Sequence, residues 1–181
     1  MRRHPVAVVL LAALACSTLA GCADEYGIED DKRGAVGVEL TPEESRLAMI
    51  EAEDAAIAVV GGQWQDHDSF LPAECEVGTG EGVYFSGHRT RSDDASGLDE
   101  DAEALLSMWE DAGYQVETRS YAATHRIVMA TTADGLELMY TATEEDGAVR
   151  AGITADSACV AADFAAVRRE YGERLKQPAG E

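Results

Sequence analysis

A chain of 181 residues that sets 35 Asp and Glu against 14 Lys and Arg has a formal charge of −21. A surface of that sign repels phosphate backbones and anionic head groups, which excludes nucleic acid as a partner and excludes adhesion to a membrane by charge alone. The acids are spread along the chain rather than gathered in one place, so their first consequence is solubility, and the length suits one domain with its own core.

The first 21 residues read as a secretion signal. Arg2, Arg3 and His4 form a basic start, Val6 to Ala15 an apolar run too short to span a bilayer, and small residues follow. Leu19-Ala20-Gly21-Cys22 then looks like the lipobox of a bacterial lipoprotein. That likeness implies export, diacylglyceryl transfer to the Cys22 thiol, cleavage before it and, as a rule, acylation of the new amine. Removing residues 1–21 leaves 181 − 21 = 160 residues with 12 Lys and Arg against 35 acids, a charge of 12 − 35 = −23. Of the four cysteines, Cys16 leaves with the signal and Cys22 takes the lipid. Cys75 and Cys159 are then the pair expected to form a disulfide in an oxidising compartment.

Residues 22–40 are charged and glycine-rich without hydrophobic period and read as a flexible acidic tether. A single domain is expected over 41–176, with a disordered tail at 177–181. Thr41-Pro42-Glu43-Glu44 starts a helix, with Thr as N-cap, Pro at the first helical position and Glu closing a capping box. Leu47, Ile50, Ile57 and Val60 give its apolar stripe, and Gly61-Gly62 ends it. Trp64, Phe70 and Leu71 are expected as core plugs in a loop leading to Cys75. Val83 to Phe85 reads as a short strand, followed by a charged loop from Arg89 to Gly97. A second helix carries Leu98, Ala102, Leu105, Leu106 and Trp109 on one face and stops at Gly113. Tyr114, Val116 and Thr118 alternate with polar residues as a further strand.

Asp134-Gly135 and Asp146-Gly147 both have the composition of two-residue hairpin turns. Taken so, they place Ile127, Met129, Leu138, Tyr140, Ala142, Ala151 and Ile153 on one face of a three-stranded meander, and Arg126, Glu137, Thr141 and Arg150 on the other. Phe164, Val167, Tyr171 and Leu175 mark a terminal helix. The fold class is therefore α+β: an antiparallel sheet of four to five strands with a C-terminal three-stranded meander, packed against two or three helices.

No residues are assigned to catalysis, to a cofactor or to a metal. Asp94, Ser96, Gly97 and Glu103 fit part of a calcium-loop spacing counted from Ser92, but position one is not an acid, and the segment reads better as a helix start enriched in carboxylates. Asp66-His67-Asp68 reads as a solvated polar loop, because adjacent residues rarely turn towards one ion; metal binding would need His88 or His125 brought in by the fold. Ser69, Ser86 and Ser120 lack nucleophile-elbow surroundings. Gly78, Gly80 and Gly82 lack the strand-before, helix-after setting of a phosphate loop.

The lipobox, the acidic tether, the helix, Cys75, the passage from Trp109 to Val116, the meander and Cys159 are together similar to the small lipoproteins of actinobacterial cell envelopes. The resemblance implies Cys22 as the lipid site and carries no catalytic residue; the helix after Cys159 extends the layout. The expected function is that of a non-enzymatic binding or accessory module, held by its lipid on the extracytoplasmic face of the cell membrane and meeting an envelope protein. The alternatives are a small envelope-acting enzyme and a carrier of an apolar ligand.

Overall fold

The computed structural model describes residues 39–67, 69–94 and 97–176, so the lipobox with Cys22, the tether up to residue 38 and the tail at 177–181 lie outside the described residues. Three helices, α1 (Pro42–Val60), α2 (Leu98–Asp111) and α3 (Phe164–Arg174), accompany β1 (Gln65–Asp66), β2 (Ser69–Val77), β3 (Gly80–Asp94), β4 (Gln115–Ala122), β5 (His125–Thr131), β6 (Glu137–Glu145), β7 (Ala148–Asp156) and β8 (Val160–Ala161). All pairings are antiparallel. β1 and β2 follow one another along one side of β3, β7 and β8 along the other, and β6, β5 and β4 continue outward. The α+β class holds, with more strands than the four or five expected.

The first helix starts as its sequence dictates: the Glu44 backbone N–H donates to Thr41 Oγ1 at 3.2 Å and the Thr41 N–H to the Glu44 carboxylate at 2.8 Å. Its buried stripe is turned from the expected one, because Ser45, Met49, Glu53 and Ala56 face the sheet while Leu47 is exposed. A polar residue can replace an apolar one there when it has a partner: Ser45 Oγ donates to the Ala158 carbonyl at 2.7 Å. Ala102, Leu105 and Trp109 of α2 are buried as their period requires, and Gly113 takes φ +80° just past the helix end. Trp109, Tyr140, Phe85, Leu105 and Ile153 fill the space between helices and sheet with no exposed surface.

Two expected loops are strands. Trp64 to Leu71 runs into β1 and β2, although Trp64 and Leu71 do pack against the core. The charged stretch after Arg89 stays in β3 as far as Asp94, held by a ladder to β7 from Ser86↔Asp156 to Asp94↔Ala148. Its charge disguises it, since Arg89 and Arg91 occupy the inward positions normally held by apolar residues.

Of the two Asp-Gly turns, the second is a two-residue turn. Glu145 pairs with Ala148, and Asp146 and Gly147 both take positive φ, at +55° and +80°. Tyr140 accordingly faces Ile153, and Ala142 faces Ala151. The first turn is one residue longer. The Thr132 N–H donates to the Leu136 carbonyl at 2.9 Å, enclosing Ala133, Asp134 and a left-handed Gly135. One added residue shifts the register by one and reverses a whole strand's faces. Tyr140 pairs with Val128 and Leu138 with Ala130, so Val128 and Ala130 are core residues. Ile127 and Met129 stand on the opposite face, and Arg126 turns to the helix side, where it meets Asp99 of α2 at 2.6 Å.

The Cys75–Cys159 disulfide forms, with Cα atoms 6.2 Å apart, and ties β2 to the segment between β7 and β8. Gly82 lies across the ladder from Cys75; a Cβ there would come within 3.0 Å of Cys159 Sγ and 2.9 Å of the Val160 carbonyl oxygen. This close approach is what the glycine serves.

Candidate functional site

All three helices pack on one face of the sheet. α1 lies against β3 and β7, α2 against β4, β5 and β6, and α3 reaches Phe85 of β3 through Tyr171, the two rings 4.9 Å apart. Among the described residues, no element crosses the other face, and its side chains follow from the register. One row across the strands reads Gln65, Thr90, Gly152, Thr141, Ile127, Arg119; the next reads His88, Thr154, Met139, Met129, Glu117. These two central rows are mostly hydroxyls and thioethers, while the flanking rows of the same face bring Asp156 and Glu137 on one side and Arg150 on the other. Gly152 contributes no side chain to it, and a Cβ there would sit 3.3 Å from Thr141 Oγ1 and 3.4 Å from His88 Cε1. The Thr141 and His88 side chains close over it, and beside them lies a depression of about 690 Å³ bordered by Gln63, Trp64, His88, Thr90, Arg91 and Arg150.

The helix side of β3 holds this floor in place with charge. Glu53 of α1, wholly buried, lies 3.5 Å from Arg89, which also meets Asp66 at 2.6 Å. Arg91 donates to the Val60 and Gly61 carbonyls at 3.1 Å, pairs with Asp101 of α2 and stacks its guanidinium 5.1 Å over the Trp64 ring. A cation on the last carbonyls of α1 is where the helix dipole favours one. A second cluster joins α1 to α3. Arg46 and the Tyr171 hydroxyl donate to Glu43 and hold its carboxyl down at about 2, while burial and the Glu43 contact push the Tyr171 hydroxyl up to about 12. Both clusters join element to element, and Arg91 and Trp64 of the first also border the depression.

The residues singled out in the sequence fall as follows. Ser92 is on β3 and Glu103 on α2, with Gly97 at the helix start and Asp99 committed to Arg126, so the calcium-like spacing straddles a strand and a helix; Ser96 lies outside the described residues. Ser86 donates to Asp156, and Ser120 stands exposed on β4. Gly78 forms the turn between β2 and β3, at φ +62°. Asp66 is paired with Arg89, and Asp68 lies outside the described residues. The fold does bring His88 beside His67, whereas His125, on β5, is separated from it by β7 and β6. Among the described residues, no group of three or more His, Cys, Asp and Glu is placed to hold an ion, and no helix is long and apolar enough to cross a membrane.

The chain matches no family model, no curated protein and no solved structure. The geometry of the uncovered face is therefore the ground for a functional reading. The sequence names several of its residues, but the face itself is assembled by register between residues far apart in the chain, as Thr90 and Gly152 are (152 − 90 = 62), and no local motif announces it.

Proposed function

We propose that this protein is a lipid-anchored extracytoplasmic domain that binds a protein of the cell envelope through the uncovered face of its sheet. The observation that carries the reading is the asymmetry of the sheet: three helices cover one face, and among the described residues nothing covers the other, whose two central rows carry hydroxyls and thioethers with one Arg and one Glu at the β4 end. The Leu19-Ala20-Gly21-Cys22 motif supplies the anchor, since acyl chains at about 0.8 kcal/mol per buried methylene hold a domain in whose described residues no helix is long and apolar enough to cross a membrane. The filled core favours a surface binder over a carrier of an apolar ligand, which needs an enclosed cavity.

The test is photo-crosslinking in intact cells producing the full chain. A photoreactive residue at Thr141 or Met139 should give a discrete protein adduct, and one at Glu51, exposed on the helix side, should not. Equal adducts from both faces, or none from Thr141 and Met139, would count against the reading. In the same cells Cys22→Ser should move the protein out of the membrane fraction; retention after a high-salt wash would remove the anchor from the proposal.

A further inference from the structure

β4 ends the sheet: among the described residues it pairs with β5 and with no strand on its other side. The opposite border is blunted, β1 being two residues long and β2 carrying Pro72 and a register shift between Ser69 and Ala73. β4 runs for eight residues without proline, lysine or glycine, and its register shift comes only after Arg119. Which of its backbone groups point outward follows from the first hairpin. The bond from the Thr132 N–H to the Leu136 carbonyl makes Ala130↔Leu138 and Val128↔Tyr140 the bonded pairs of β5 and β6. Ile127 and Met129 therefore turn their N–H and C=O groups towards Arg119 and Glu117, and the N–H and C=O groups of Val116 and Thr118 face out from the sheet.

We infer that β4 is an edge for a second copy of this chain, the two strands pairing antiparallel about a two-fold axis at Thr118. Such an axis stands perpendicular to the sheet, so residues opposite one another share a face and both sets of helices lie on the same side. Charge then selects among the registers. With Glu117 opposite Glu117, or Arg119 opposite Arg119, like charges meet across a non-bonded pair, where side chains stand closest. Centring on Thr118 instead sets Glu117 of each copy opposite Arg119 of the other, with Thr118 bonding Thr118 and Val116 meeting Ser120. Glu117 and Arg119 are exposed and lie 2.8 Å apart within one chain; the register adds a contact across the axis without removing that one. On the helix side, Val116 of the second copy comes to the rim of a recess of about 130 Å³ lined by Ala102, Leu106, Thr118, Ser120 and Val128. The net charge of −21 on each copy opposes approach from a distance, but physiological salt screens it beyond about 8 Å, whereas the paired side chains meet well inside that range. The inference is independent of the docking reading, because the two-fold leaves the uncovered face open and extends it.

The experiment is disulfide trapping of the full chain in the cells that produce it, with diamide as the thiol oxidant and non-reducing electrophoresis as the readout. Thr118→Cys should give a covalent homodimer above the parent's level, because residues opposite in a bonded pair have Cα atoms about 5.5 Å apart, within a disulfide's reach of about 4.4–6.8 Å. Glu117→Cys, a diagonal neighbour about 7–8 Å from its own counterpart, should not, and neither should Glu51→Cys on α1. In the Thr118→Cys background, Glu117→Arg should cut the dimer about tenfold by setting arginines opposite one another. Adding Arg119→Glu should restore it, since the exchanged pair is again complementary, and that recovery separates lost pairing from lost fold. No dimer from Thr118→Cys, an equal yield from Glu117→Cys or Glu51→Cys, or an adduct to a different protein in place of the homodimer would each overturn the assignment. So would a yield that Glu117→Arg leaves unchanged, or one that the double exchange fails to recover.

Discussion

The Glu53 carboxylate of α1, without any exposed surface, lies 3.5 Å from the Arg89 guanidinium of β3. An ion pair so placed is a weak source of net stability but a liability when broken, because the surviving Arg89 keeps its burial and loses part of its compensation, only Asp66 at 2.6 Å remaining among the ion pairs described above. Glu53→Ala should cost on the order of 3 kcal/mol in denaturant unfolding, and Glu53→Met combined with Arg89→Met should recover most of it. If the double variant is no more stable than Glu53→Ala, the pair is not what holds α1 to this part of the sheet.

The register of the first hairpin yields a comparison between neighbours. Val128 is buried opposite Tyr140, whereas Met129 is half-buried on the uncovered face opposite Met139. Val128→Ala should therefore cost about 1.5–3 kcal/mol and Met129→Ala clearly less, although Met is the larger side chain. Leu138→Ala, buried in either register, should cost about 2–5 kcal/mol, and Glu137→Ala less than about 0.5. A larger loss at Met129 than at Val128 would restore the two-residue turn.

That hairpin also shows where local sequence stops being informative. Asp146-Gly147 and Asp134-Gly135 are the same dipeptide, yet Thr132 closes the first turn from outside it, its hydroxyl accepting the Leu136 N–H at 3.0 Å. Composition at the turn does not distinguish the two loop lengths; a side chain two residues upstream does. The capping box at Thr41, the α2 stripe, the Cys75–Cys159 pair and the second hairpin were legible because each is set by neighbours in the chain or by elimination. The end of β3 was not, because Arg89 and Arg91 are acceptable inward residues only with Glu53, Asp66 and Asp101 in place. The uncovered face was legible only in part: Thr141 and Arg150 were placed on it, while Ile127 and Met129 had to change sides.

The Glu43 cluster makes stability depend on pH in a known direction. Hydrogen bonds from Arg46 and then Tyr171 lower the Glu43 carboxyl from 4.5 to about 2, so the folded state binds this proton less readily than the unfolded chain. The contribution is complete above about pH 4.5 and is lost as pH falls towards 2. With a side chain 39 % exposed, solvent screening keeps it under about 1 kcal/mol. Glu43→Gln should be less stable than the parent at neutral pH, and the difference should shrink through that window; a gap that stays constant or widens on acidification would contradict the assignment. Tyr171 acts at the other end, its contribution present below about pH 10 and lost as pH rises through about 12.

The disulfide and its glycine form one unit. Cys75 and Cys159 are 84 residues apart, a span for which cross-linking the unfolded chain stabilises by about 4–5 kcal/mol on the entropy model. Replacing both by Ala should lower stability by about 2–5 kcal/mol without changing the sheet, seen as a lower denaturant midpoint with near-native far-ultraviolet dichroism. Gly82→Ala attacks the same place from the backbone, since the new Cβ would lie 2.8 Å from Val77 Cγ2, 2.9 Å from the Val160 carbonyl oxygen and 3.0 Å from Cys159 Sγ. Two of those three neighbours remain when the sulfurs are removed, so the glycine substitution should still be destabilising in the Cys75→Ala, Cys159→Ala background, but by less than in the parent. In the parent it should also raise the fraction of free thiol found by mass spectrometry of unreduced protein. Equal costs in the two backgrounds, with no free thiol in the parent, would mean that Gly82 answers to Val77 and Val160 and not to the disulfide.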